Sequence, residues 1–333
     1  LKEVINCAVI GVGRLGSVHA KNLVQNIPSA KVKNIVASRT ENAEKAARKL
    51  GLSNWTSNVQ EVFEDDEIDA VVIGTPTKTH AQLLIQAAKH NKHIFVDKPI
   101  TETVEEADEV IQALRKYNVF CQVGFMRRFD PAYADAKRRI EKGDIGKPIY
   151  FKGVSRDPGS PPENYIKSSG GIFLDLCIHE YDIARFLIGS EVKAVQTFGE
   201  VHVHPFMHNY CDVDQSLSYL QFENGVTADI EGSRNSSFGY DIRGEVLGTE
   251  GMIQIGSNQY HNNIILTKNK AYYDNIPDFP TNFQVAFLKE LEHFIDCVKN
   301  NRRPIVDEND GKIALQISEA AARSFQTKEK VYL

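Results

Sequence analysis

The chain has 333 residues, 42% hydrophobic and 25% charged, so it is long enough for two domains and has the balance of a globular protein. A net charge of −5 speaks against nucleic acid as a main partner, and no apolar run approaches the ~20 residues of a membrane span. No basic-then-apolar leader is visible, and Cys7, Cys121, Cys177, Cys211 and Cys297 are scattered without a C-x-x-C pair. That pattern suits a reducing, cytoplasmic setting and core thiols better than disulfides or a zinc ribbon.

In chain order, the apolar run Ile5 to Ile10 reads as a buried strand, and Val18, Leu23 and Val24 begin a helix. Between them Gly11, Gly13 and Gly16 fit G-x-G-x-x-G at the junction a dinucleotide site requires. The first glycine allows the tight turn, the second admits a pyrophosphate, and the third lets helix and strand pack closely. The helix N-terminus then offers N–H groups to the phosphates. The simpler alternative is a plain turn between strand and helix.

Lys33 to Ala37 reads as a second strand, and Glu41 to Leu50 as a helix closed by Gly51. Ile68 to Ile73 is a third strand ending in Gly74-Thr75-Pro76-Thr77, followed by a helix from Thr79 to His90. His93 to Val96 leads into Asp97-Lys98-Pro99. A helix from Thr101 to Tyr117, with Thr101 as its N-cap, precedes a strand from Val119 to Val123. This alternation predicts an α/β fold with a doubly wound parallel sheet over residues 1–124. Its ligands sit beyond the carboxyl ends of the strands, at Gly11, Ser38, Gly74 to Thr77, Lys98 and Gly124 to Arg127.

The end of the second strand carries Ser38 and Arg39 where an acid would hold the ribose of NAD. A guanidinium there can accept the extra phosphate of NADP; the other reading is a solvated Arg39 and a Ser38 bonded to an NAD ribose. Lys98 follows a buried strand and precedes proline, so its ammonium can reach into the cleft and stabilise an alkoxide. The plain alternative is a surface lysine in a turn.

From Phe125 the pattern changes, and residues 125–333 are expected to form a second domain, with a C-terminal helix free to pack back on the first. Asp130 to Lys142 is a helix, Pro148 to Val154 a strand, and Gly159 to Asn164 a loop able to cover a site. A helix is predicted from Ser168 to about Ile188, placing Asp175 and His179 on one face with Asp182 nearby. A histidine beside a carboxylate has the makings of a general base; alternatively the pair is an ordinary exposed polar couple. Ser216 to Phe222 and Val226 to Glu231 flank Asn224-Gly225, and Ile242 to Leu247 and Met252 to Ile255 flank another glycine turn. A broad antiparallel sheet with a large flat face follows, with amphipathic helices from Phe283 to Val298 and Lys312 to Ser324. His202 and His204 alternate on a predicted strand near His208 and Cys211, but the spacing is not that of a structural zinc site, so no metal is expected.

These motifs together resemble the glucose–fructose oxidoreductase/inositol dehydrogenase/rhizopine-catabolism family. The carriers are Gly11 to Gly16, Gly74-Thr75-Pro76, Asp97-Lys98-Pro99, Gly124 to Asp130, and Gly170-Gly171 through Asp175 and His179. Ser155 to Pro158 and Phe238 to Asp241 are similar to its inositol 2-dehydrogenase branch. The resemblance implies a Rossmann domain, a second α/β domain built on an open, mostly antiparallel sheet, and a homodimer or homotetramer formed through that sheet. It implies that Lys98, Asp175 and His179 are catalytic and that Arg127, Asp157 and Tyr240 line a polyol pocket. Implied cofactor contacts are Gly11, Val12, Gly13, Arg14, Leu15, Gly16, Ser38, Arg39, Gly74, Thr75, Pro76, His80, Asp97, Lys98 and Met126. Asp97 stands where relatives usually carry Glu, and Ser38 where NAD-using inositol enzymes usually carry an acid. The expected reaction is NAD-dependent oxidation of a ring hydroxyl of a cyclic polyol, myo- or scyllo-inositol first, with NADP still open. Another sugar is the alternative substrate; a cofactor-binding sensor without turnover is the alternative of another class, and reduction of an imine or enal fits the same motifs.

Overall fold

The computed structural model describes residues 2–333. The chain forms two compact units, one running to Phe129 and taking in Val285–Ile313, the other made of Asp130–Gln284 and Ala314–Leu333. The first unit thus runs a little past the boundary expected after residue 124 and also takes in a later segment. The helix Gln284–Lys299 explains this. Its Leu291, Phe294 and Ile295 are fully buried in one cluster with Val9, Ile35, Val72 and Phe95. Each such side chain contributes roughly 1.5–3 kcal/mol by leaving water, enough to fix the helix to this core.

In the first unit, strands β1 (Ile5–Ile10), β2 (Ala30–Val36), β3 (Trp55–Thr56), β4 (Ala70–Ile73), β5 (His93–Asp97) and β6 (Cys121–Gly124) form one sheet. Their order is β3-β2-β1-β4-β5-β6, and every pairing is parallel. β1 and β4 are nearly devoid of polar side chains because helices cover both faces of such a sheet. The strand order reverses between β1 and β4, which is where open α/β sheets hold ligands. The helix expected from Thr101 begins instead at Val104. Thr103 caps it by accepting the Glu106 N–H, while the Thr101 hydroxyl donates to the Thr103 carbonyl.

The second unit contains β7 (Pro148–Arg156), β8 (Val192–Glu200), β9 (Gln215–Phe222), β10 (Thr227–Ser233), β11 (Asp241–Gly248) and β12 (Met252–Ile255). β13 (Ile265–Leu266) and β14 (Ala271–Tyr272) make a small hairpin, and β15 (Val331–Tyr332) closes one edge of the large sheet. The order is β12-β11-β7-β10-β9-β8-β15, antiparallel except for the β7–β10 pair. This is the open, mostly antiparallel sheet expected. One face is covered by helices. The other exposes Phe198, Leu217, Tyr219, Leu247 and Met252, which cross-strand pairing places on a common side.

Two expectations in this unit are corrected. The stretch 168–188 is not one helix but Glu163–Ser169, Gly171–Asp175 and Ile178–Ile188. Gly170 and Gly171 are left-handed, at φ +77° and +80°, and interrupt the first junction. At the second, the Cys177 N–H reaches five residues back to the Ile172 carbonyl, widening the turn. The regular four-residue spacing of Asp175 and His179 on a single helix is thereby lost. His202 and His204 are likewise not on a strand. β8 ends at Glu200, and the N–H groups of residues 202, 203 and 204 all donate to the Asp214 carboxylate.

Candidate active site

In the first unit the glycine loop lies between β1 and the helix Arg14–Gln25. Gly11 has φ +92°, and a Cβ there would sit 2.7 Å from the Gly74 carbonyl oxygen. A Cβ on Gly16 would lie 2.0 Å from the Gly11 carbonyl oxygen, so helix, loop and β4 pack at a distance only hydrogen atoms allow. Gly13 differs: a Cβ there would meet nothing within 4 Å. It precedes the first helical residue and is exposed, with Arg14 exposed beside it. The loop thus offers bare backbone and a helix N-terminus at the switch point of the sheet, which fits a dinucleotide pyrophosphate. Val12 and Leu15 are half-buried within it, and Ser38 and Arg39 are exposed just past β2.

Beyond β4, Gly74, Thr75 and Pro76 form the next stretch of rim. His80 braces it, one ring nitrogen 3.0 Å from the Thr75 carbonyl oxygen and the other 2.9 Å from that of Pro99. Its ring is thus spent on backbone, which ties this loop to the cis Lys98–Pro99 peptide. Asp97 ends β5 with one oxygen 2.9 Å from His19 Nε2, and Lys98, half-buried, follows it. Met126 and Arg127 are buried in a short 3-10 turn after β6, and Arg128 pairs with Asp310.

The second unit gathers Asp157, Asp175 and Arg234. Asp175 closes the helix Gly171–Asp175; one oxygen accepts from the Tyr165 hydroxyl at 2.8 Å, the other from Arg234 Nη2 at 3.1 Å. Asp157, just past β7, has an oxygen 3.9 Å from Arg234 Nη1. His179 is buried at the start of the next helix. Tyr240 is buried too, its ring edge-on to Phe283 at 6.3 Å, and its N–H donates to the Ile276 carbonyl. A carboxylate with both oxygens held and an imidazole a widened turn away are groups able to orient a hydroxyl and take its proton.

Sequence reasoning passed over four residues here. His19 lies inside the glycine stretch, one turn into its helix, and only its contact with Asp97 marks it. Tyr165 falls where a loop was expected to end but lies on the helix Glu163–Ser169. Arg234 follows the buried end of β10, where a charge is out of place. Glu290 interrupts the apolar face of Gln284–Lys299, between Phe287 and Leu291. Those last two carried a signal: an ionisable residue at a position the pattern marks as interior. Among the described residues, no group of three or more His, Cys, Asp or Glu is placed to hold a metal, and no helix is long and apolar enough to cross a membrane.

Comparison with known proteins bears on both units. Residues 5–125 match the oxidoreductase family described by its NAD-binding Rossmann fold, and residues 137–333 match that family's C-terminal alpha/beta domain. The chain is 49% identical to the scyllo-inositol 2-dehydrogenase (NAD(+)) of Bacillus subtilis, covering 100% of this chain and 97% of that one. It is 37% identical to the myo-inositol 2-dehydrogenase of Thermotoga maritima, over 98% of this chain and 97% of the other. Among solved structures, scyllo-inositol dehydrogenase from Lactobacillus casei with bound NAD(H) and scyllo-inositol superposes with a TM-score of 0.93. That pair shares 28% identity, over 99% of each chain. The glycine loop, the two folds and these likenesses agree, and the chain belongs to the glucose–fructose oxidoreductase/inositol dehydrogenase family of NAD-binding oxidoreductases.

Proposed function

We propose that this protein oxidises a ring hydroxyl of a cyclic polyol with NAD, with scyllo- or myo-inositol as its substrate. The observation that carries the reading is its 49% identity, over its whole length, to an enzyme named scyllo-inositol 2-dehydrogenase (NAD(+)). The second unit's chemistry supports it. A ligand bearing a hydroxyl on every ring carbon needs many polar partners, and the half-buried Asp157 and Asp175 and the buried Tyr240 can supply some of them at one end of the large sheet.

When bound, the nicotinamide supplies the hydride acceptor. In our reading His179 takes the hydroxyl proton as the hydride leaves. The Lys98 ammonium stabilises the charge that develops on the oxygen, and Asp175 orients the hydroxyl. The exposed apolar residues Phe198, Leu217, Tyr219, Leu247 and Met252 on one sheet face support a homo-oligomer, dimer or tetramer, assembled through that face.

The test is a panel of inositol isomers and hexoses with NAD and with NADP, followed by the absorbance of the reduced nicotinamide. Steady NAD reduction with an inositol is the expected result. Cofactor binding with no turnover on any polyol would favour a sensor and overturn the reading. His179→Ala is expected to lower kcat roughly 10²–10⁴-fold, the usual share of a general base. NAD affinity should survive that change.

A further inference from the structure

We infer that Arg234 is a positioning residue of the substrate site, holding Asp175 in fixed geometry for a polyol hydroxyl, with Asp157 at ion-pair distance on its other side. The inference rests on the role proposed above for Asp175.

The guanidinium is fully buried. Nη2 lies 3.1 Å from one Asp175 oxygen and Nη1 lies 3.9 Å from one Asp157 oxygen. Asp212 completes the surroundings, and its other role is local. One of its oxygens accepts the Ile172 N–H at 2.8 Å, tying down the start of the five-residue helix that Asp175 ends. That helix is thus fastened at its first turn by Asp212 and at its last residue by Arg234. The Tyr165 hydroxyl donates to the other Asp175 oxygen at 2.8 Å, so both oxygens of the carboxylate have a partner. Burial works against the charge on Arg234, but Asp175, Asp212 and Asp157 together outweigh it and hold the group firmly cationic.

Stability alone does not account for this arrangement. A buried ion pair roughly breaks even against apolar residues of the same volume. Arg234 also leaves Nε and Nη1 without a hydrogen-bond acceptor, and a buried orphan donor costs about 1–3 kcal/mol. An interior selected for stability would carry an aliphatic side chain here. What the arginine adds is orientation: the Asp175 carboxylate is held as an acceptor on one side of the cation, with Asp157 at ion-pair distance on the other. Local rules are broken in this way at sites where geometry matters more than stability.

The test compares Arg234→Met, Arg234→Lys, Asp175→Asn and the double variant Arg234→Met/Asp175→Asn in single-turnover oxidation of the inositol substrate. NAD affinity serves as the folding control. Arg234→Met should slow turnover about 100-fold, the scale expected of a misplaced catalytic group, with NAD affinity within about twofold. Arg234→Lys should recover part of that loss. The double variant should be no slower than Asp175→Asn alone, since the arginine acts through the aspartate. Additive losses in the double variant would overturn the inference. So would an Arg234→Met enzyme turning over within about threefold of the parent, or loss of NAD binding in both arginine variants. A fully active Asp175→Asn would instead defeat the catalytic reading itself, and the inference with it.

Discussion

His19 Nε2 lies 2.9 Å from an oxygen of Asp97, at the end of the strand that delivers Lys98. The imidazole is completely buried, edge-on to Phe95 at 5.0 Å and to Phe287 at 6.1 Å. The glycine-loop helix and β5 are therefore joined by a polar contact in an apolar setting. His19→Leu would keep the volume and remove the donor, leaving a half-buried carboxylate short of one partner. The expected cost is about 1–3 kcal/mol, read from the midpoint of urea unfolding. His19→Gln, which keeps a donor, should cost less than His19→Leu. Equal stability of His19→Leu and the parent would show that the contact contributes nothing.

The three glycines of the loop separate folding from binding. Gly13→Ala places its methyl in open space with the backbone in an ordinary conformation, φ −67°. Thermal stability should stay within about 0.5 kcal/mol of the parent. NAD affinity should nonetheless fall at least about tenfold, because the methyl intrudes where backbone meets pyrophosphate. Gly16→Ala drives a methyl to 2.0 Å from the Gly11 carbonyl oxygen. It should lower stability by roughly 1–3 kcal/mol, as overpacking does. Fluorescence titration with NAD and a thermal melt on each variant distinguish the two.

The parallel sheet was readable from the sequence because each apolar run is short, buried on both faces, and closed by turn residues. Lys98, Asp175 and His179 stood out because the motifs around them are local. What the pattern did not reveal is non-local. Nothing near Arg234 in sequence marks Asp175 as its partner, fifty-nine residues away. Helical periodicity cannot show the extra residue admitted at Cys177, because Phe173, Leu176, Ile183 and Phe186 keep a plausible apolar stripe through the break. Nor does amphipathicity say which unit a helix joins: Gln284–Lys299 reads as part of the second domain and lies in the core of the first.

Glu290 lies in that helix, fully buried, and neither carboxyl oxygen has a hydrogen-bond partner. Burial pushes its carboxyl well above the usual range, and the charge of Asp97 pushes it further. The group is neutral in the folded protein at pH values where the unfolded chain has already released the proton, from about 4.5 upward. The folded state therefore holds the extra proton, and this residue's contribution to stability falls as pH rises through that window. Each unit of pH climbed there costs about 1.4 kcal/mol until the folded group itself ionises. Glu290→Gln is neutral throughout and close in shape. It should match the parent near pH 4 and become progressively more stable than it between pH 5 and 8, by roughly 1 kcal/mol or more at the upper end. Urea midpoints for both proteins across that range measure the difference directly, and two parallel curves would mean that Glu290 titrates as an ordinary carboxyl.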